Sequence, residues 1–180
     1  MASERIQINE PLAELTTFHV GGPADWLVYV RSASELTAVV EIARANDVPV
    51  VVLGGGSNVL VADAGVRGVV VRPQLTGIAQ QSATVVRAEA GVTINGLVRW
   101  LIGRGLAGLE KWAGTPGTVG GAIYGNAHYG GTNIGDLVTR LGLITPAGEA
   151  IEVAAHDMGF AYDTSRIQRT REIVVWASLP

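Results

Sequence analysis

Cysteine is absent from the 180 residues, which removes disulfides, thiolate nucleophiles and cysteine-bound metals. That usage fits a reducing cytoplasm. Lysine is nearly absent too: Lys111 stands alone, and arginine supplies the other basic side chains. The formal charge of −3 is spread along the chain without a basic stripe, so no nucleic-acid partner is expected. No run of about 18 apolar residues occurs, so no membrane-spanning helix is expected. The opening MASERIQINE is polar and lacks the apolar centre of a signal peptide. No His, Asp and Glu cluster stands at ligand spacing, so no metal is expected. The expectation is a soluble, cytoplasmic chain, long enough to bury a core without staples.

Glycine, by contrast, is abundant, at 24 of the 180 residues. It gathers in 54–56, 114–121 and 125–135, where the backbone must turn sharply or meet something closely. Between these clusters the pattern is mixed. Trp26 to Val30 is a β-forming run, and Glu35 to Ala45 repeats Leu36, Val39, Val40 and Ala43 at helical spacing behind Ser32 or Ser34 as cap. Val48 to Leu53 and Gly68 to Arg72 follow as strands, giving a βαβ unit that favours parallel pairing. Ala83 to Ala90 reads as a strand, and Thr93 as the cap of a helix Ile94 to Gly103. Leu141 to Thr145 and Glu149 to Val153 flank Pro146-Ala147-Gly148 as a hairpin. Glu172 to Leu179 is a last strand. The fold class expected is α+β in two lobes, 1–75 and 76–180.

Two segments carry chemistry. Leu53-Gly54-Gly55-Gly56-Ser57-Asn58-Val59 leaves a buried strand, and its glycines let successive N–H groups converge on an anion. Ser57 and Asn58 add donors suited to phosphate. The loop has no Walker lysine and no GxGxxG opening a helix, which argues against a nucleoside triphosphate or Rossmann site. A plain tight turn is the alternative. Residues 108–131 read as a long glycine-rich stretch whose small residues could pack tightly against a ligand. Thr115-Pro116-Gly117 predicts a turn, Gly120-Gly121-Ala122 offers bulk-free backbone to a flat ligand, and Asn126, His128 and Tyr129 put polar groups at the rim. Here the alternative is a tight loop packed on a helix. Trp112 reads as core rather than a shield for a ligand, and Glu110 as a structural acceptor.

Together the two segments resemble the flavin-binding segments of the UDP-N-acetylenolpyruvoylglucosamine reductases. Leu15-Thr16-Thr17-Phe18-His19-Val20-Gly21-Gly22-Pro23-Ala24 is similar to their N-terminal signature. Phe160-Ala161-Tyr162-Asp163-Thr164-Ser165-Arg166 sits where they carry Tyr-Arg-x-Ser. The resemblance implies a two-lobed FAD-binding domain of the vanillyl-alcohol oxidase type, with FAD held non-covalently between the lobes. It implies that Leu53, Gly54, Gly55, Gly56, Ser57, Asn58 and Val59 hold the pyrophosphate. Gly114, Thr115, Pro116, Gly117, Gly120, Gly121 and Ile173 are then the flavin's neighbours. It further implies NADPH as reductant and a UDP-sugar as second substrate, with hydride delivered to its enolpyruvyl double bond.

Departures from that family concern its chemistry. Asp163 replaces the arginine that favours the substrate's developing enolate, leaving Arg166 as a substitute and Tyr162 as the candidate on the substrate side. The loop from Asn126 to Gly130 is one residue shorter than the family's. His128 reads as a rim hydrogen-bonding group rather than a covalent flavin link, and His19 and His156 as surface residues. In the family a third domain supplies substrate contacts, a serine acid and a glutamate; the chain's last residue, Pro180, precedes it. The expectation is a chain without that domain, exposing an apolar patch on the second lobe that favours self-association or a separately supplied domain. Two alternatives stand beside the reductase reading: a non-catalytic FAD-binding module, and a fragment of an FAD-dependent oxidase.

Overall fold

The computed structural model describes residues 5–180; the first four residues of the polar opening lie outside the described residues. The first sheet holds β1 (Ile6–Pro11), β2 (Pro23–Val30), β3 (Val50–Val52) and β4 (Val66–Pro73) in the order β1-β2-β4-β3. β2 and β3 both run parallel to β4, as the βαβ pattern predicts, and β1 lies antiparallel on β2. Between β2 and β3 comes α1 (Ala33–Ala45), where the Ser32 hydroxyl accepts the Glu35 N–H and so settles the cap in favour of Ser32. β3 is shorter than the expected Val48–Leu53, although the Leu53 N–H still reaches the Val71 carbonyl at 2.9 Å. β1 escaped the sequence reading because its polar alternation, IQINEP, buries little.

The second sheet is antiparallel throughout, in the order β10-β9-β11-β6-β5. Its strands are β5 (Ile78–Gln80), β6 (Val86–Glu89), β9 (Arg140–Ile144), β10 (Ala150–Ala154) and β11 (Ile173–Leu179). α2 (Ile94–Ile102) begins where expected, with the Thr93 hydroxyl accepting the Gly96 N–H. The β9–β10 hairpin closes as the Pro-Ala-Gly signal predicts, with Gly148 at φ +90.

The glycine-rich stretch, for which the sequence suggests only the turn at Thr115–Gly117, carries several short elements. Glu110–Trp112 is a 3-10 turn and Val119–Tyr124 is helix α3. The strands β7 (His128–Tyr129) and β8 (Thr132–Asn133) form a small hairpin, and α4 (Ile134–Leu137) follows. α5 (Ile167–Thr170) then leads into β11. Its glycines hid α3 from a propensity argument. What builds the helix is Thr118 capping the Gly121 N–H and the burial of Val119, Ala122 and Ile123 on one face.

Three apolar clusters hold the fold. α2 and α3 cover the second sheet, with Leu97, Ile123, Leu141 and Trp112 buried among them. Trp112 is therefore core, as expected. Leu12, Ala24, Leu27, Leu53 and Val70 fill one face of the first sheet. On its other face Val30, Leu36, Val40 and Val71 meet Ile144, Val175 and Trp176 of the second sheet, so α1 lies between the sheets.

Candidate functional site

The two glycine segments lie against each other. A Cβ on Gly54 would stand 2.7 Å from Thr118 Oγ1, and one on Gly55 would stand 3.0 Å from Gly117 Cα. One on Gly117, itself at φ +96, would fall 2.9 Å from Ser57 Oγ. These distances explain why bulk is missing from both segments: it would push them apart. Gly120 is pressed in the same way onto Ala90, at 3.0 Å from its Cβ. The backbone of the second segment is pinned from behind, since the Ile94 N–H donates to the Gly117 carbonyl and the Val119 N–H to Val92.

The amino-terminal signature closes the other side. The Thr17 N–H donates to the Gly56 carbonyl at 2.9 Å, and the Gly22 N–H to the Ala62 carbonyl at 3.0 Å. Gly56 is left-handed at φ +70, and any Cβ there would collide with the Leu15 carbonyl oxygen. That carbonyl also accepts Arg72 Nη1 at 3.4 Å, which brings a guanidinium beside the loop. Arg72 went unnoticed in the sequence, where it is one β-strand residue among many. Its only available signal is a charge at the end of an apolar run.

Neither 53–59 nor 113–121 contains a charged side chain, so what they offer is backbone and hydroxyl. Gly55, Asn58, Val59, Gly114, Pro116 and Gly121 are exposed, Gly54, Ser57, Gly117 and Gly120 are half-buried, and Leu53 is buried. Gly114 is held at φ +87 and donates its N–H to Asn95 Oδ1 at 2.8 Å. Thr115 Oγ1 is buried without a hydrogen-bond partner. A shielded hydroxyl left unpaired costs free energy that a ligand can recover. Ile173, at the start of β11, packs instead against the cluster around α1.

The substrate-side candidates occupy the far end of α3. Tyr162 is 79% exposed, and its ring lies 5.3 Å from that of His128, centroid to centroid. Arg166 is fully engaged: Nε donates to Glu172 Oε2 at 2.9 Å, Nη2 to Oε1 at 2.5 Å, and Nη1 to the Asp157 carbonyl at 3.5 Å. The hydrogen bonds to Glu172 raise its pKa still further. Burial alone would raise the Glu172 carboxyl, but bonds from Arg166 and Thr170 and the guanidinium charge hold it below its ordinary value. Asn126 is not the rim donor it was expected to be. It is buried, donates Nδ2 to the Ala161 carbonyl at 2.8 Å, and accepts the Gly135 N–H at 3.0 Å. His128 and Tyr129 are exposed on β7. Glu110 accepts the Gly108 N–H at 2.9 Å as a structural acceptor, and His19 and His156 are on the surface.

Two sheets joined through the apolar face of α1, with glycine segments from each half in contact, form the frame of an FAD-binding domain. A profile of the FAD binding domain family matches residues 24–154, and the chain belongs to that family. Within it, the chain resembles the UDP-N-acetylenolpyruvoylglucosamine reductases. It is 38% identical over 177 residues to that enzyme of Streptococcus uberis, covering 98% of this chain and 58% of the relative. It is 40% identical over 170 residues to that of Carboxydothermus hydrogenoformans, covering 94% and 56%. The crystal structure of the Thermus caldophilus reductase superposes with a TM-score of 0.81 at 30% identity, covering 97% of this chain and 60% of that one. A solvent-stable cholesterol oxidase shares the fold at a TM-score of 0.71 and 22% identity. The chain thus spans under three fifths of the curated reductases it matches. The α+β class and the vanillyl-alcohol oxidase type of FAD-binding domain stand as expected.

Proposed function

We propose that this chain is the flavin-bearing part of an enolpyruvyl-UDP-N-acetylglucosamine reductase, binding FAD non-covalently between lobes 1–75 and 76–180. One observation carries the reading: glycine segments from the two sheets meet so closely that neither Gly54 nor Gly55 has room for a side chain. The unpaired, buried hydroxyl of Thr115 beside them supports it further. The donor set suits FAD, because a pyrophosphate is held by converging N–H groups and a flat ring by bulk-free backbone. Gly54 to Val59 would hold the pyrophosphate with Ser57 and Asn58 as side-chain donors. Gly114, Thr115, Pro116, Gly117, Gly120 and Gly121 would line the ring system. When bound, FAD supplies the hydride chemistry.

NADPH as reductant and the enolpyruvyl UDP-sugar as second substrate, both implied by the family resemblance, complete the proposal, together with a cytoplasmic setting that a cysteine-free chain fits. Among the described residues no helix is long and apolar enough to cross a membrane. Among the same residues no group of three metal-ligating side chains occurs. Tyr162 is the proposed substrate-side residue. Arg166 is less suited to receive a substrate carboxylate, because Glu172 already occupies its guanidinium fork. The test is an absorption spectrum of the purified chain after reconstitution with FAD, followed by anaerobic NADPH. A bound flavin band bleached by NADPH is expected. A chain that retains no flavin in excess FAD would sink the reading.

A further inference from the structure

Outside the glycine site, the described residues show one other concentration of chemistry, at the end of α3. Exposed Tyr162 lies on the turn before α5, with exposed Tyr124 closing α3 and exposed Tyr129 next to His128 on β7. His128 Nδ1 faces Asp163 Oδ1 at 3.5 Å while Tyr162 packs on its ring. Both His128 and Asp163 remain open to solvent, at 49% and 61% side-chain exposure.

The cluster is held by a stiff frame. Buried Asn126 bridges Ala161 and Gly135, and the Tyr124 carbonyl accepts both Ser165 Oγ at 2.7 Å and Gln168 Nε2 at 3.0 Å. Asn126 and Asp163 both take left-handed backbone, at φ +44 and +52. Non-glycine residues in that region cost free energy and persist where surrounding structure imposes them. The two strained residues here are the ones that aim the hairpin and the carboxylate at each other. Lys111, the chain's single lysine, runs its methylenes along Gly130, where a Cβ would lie 3.4 Å from Lys111 Cδ. At this spot the Asp163 carboxylate faces the imidazole and the Asp136 carboxylate is held by Asn133, which leaves the outer edge of the imidazole and the Tyr162 phenol as the open groups. Such a set recognises an oxyanion.

The geometry points to His128 as the group that contacts an oxyanion of the second substrate through Nε2, with Asp163 as its positioning residue. Asp163 thus acts on the ligand only through the imidazole, by fixing which nitrogen faces outward. α3 starts in the second glycine segment and ends at this cluster, and its six residues rise about 9 Å at about 1.5 Å per residue. That is within the span of one nucleotide-sugar. The inference rests on the reductase reading for the identity of the ligand, not for the geometry of the pair.

The test uses the FAD-reconstituted chain, nitrogen-15 labelled, and follows the imidazole signals of its three histidines. The probes are UDP-N-acetylglucosamine enolpyruvate, UDP-N-acetylglucosamine and inorganic phosphate. The enolpyruvyl compound is expected to move the His128 signals selectively and to bind about tenfold more tightly than its parent, as a charge-assisted contact would give. His128→Gln should shrink that difference to about twofold or less. Asp163→Asn should shift the His128 nitrogens before any ligand is added, and should add nothing in a His128→Gln background. Equal movement by the parent sugar nucleotide would assign the oxyanion to the diphosphate instead of the carboxylate. His128 signals that no probe moves, or that ignore Asp163→Asn, would overturn the inference. Flavin absorbance in the same samples reports the FAD reading separately, so either can fail while the other stands.

Discussion

At the scale of single residues, the glycine contacts and the Thr115 hydroxyl make opposite demands on a substitution. Gly56→Ala places a methyl group in the Leu15 carbonyl at φ +70, combining steric collision with left-handed strain. It should cost about 2–4 kcal/mol of folding stability, visible as an earlier thermal transition with or without FAD. Thr115→Val behaves differently. It keeps the shape and removes a buried hydroxyl that has no partner in the protein. The free chain should be as stable as wild type or slightly more so, because an unpaired polar atom has gone. FAD affinity should fall by roughly 1 kcal/mol, about fivefold, if that hydroxyl bonds the cofactor. Unchanged FAD affinity would remove Thr115 from the site.

Elements show which parts of the fold could be read from the sequence. Where burial enforced a period, as in α1, α2, β9 and β11, the pattern was legible and the Ser32 and Thr93 caps marked the starts. Where glycine diluted the pattern, it was not: no helix is read over α3 although three of its six residues are buried. The contact between 54–56 and 117–121 was legible only as two separate glycine runs, since pairing across some sixty positions leaves no local mark. The Arg166–Glu172 pair was equally silent, and it makes the link from α5 to β11 sensitive to acid. Glu172 has 8% side-chain exposure and a lowered pKa. Its contribution is therefore complete above the ordinary carboxylate range and lost as pH falls through the lowered value. Glu172→Gln should cost about 1–3 kcal/mol at neutral pH. The difference between variant and wild type should vanish in strong acid. A difference independent of pH would mean that Glu172 acts by packing alone.

For the whole molecule, two junctions join the sheets: the apolar cluster around α1 and the glycine contact. The first is hydrophobic and fully formed in the protein alone, with Leu36 at 0% and Val40 at 4% exposure among Val175 and Trp176 of the second sheet. The second junction carries no charged side chain, and under the proposed function a bound FAD would add interactions to it. It follows that weakening the first junction should make folding depend more heavily on the second. Leu36→Ala should cost about 2–5 kcal/mol by leaving a cavity between the sheets. FAD held at about a hundred times its dissociation constant should return roughly 2.7 kcal/mol to the fold. For a chain of this length that corresponds to about 5–10 °C in Tm. Both sheets should melt together in wild type. Circular dichroism would follow the whole fold, and fluorescence would weigh Trp100, Trp112 and Trp176 of the second half against Trp26 of the first. In Leu36→Ala the two signals should separate without FAD and coincide again with it. Separation that FAD does not repair would mean that the cofactor does not bridge the two sheets.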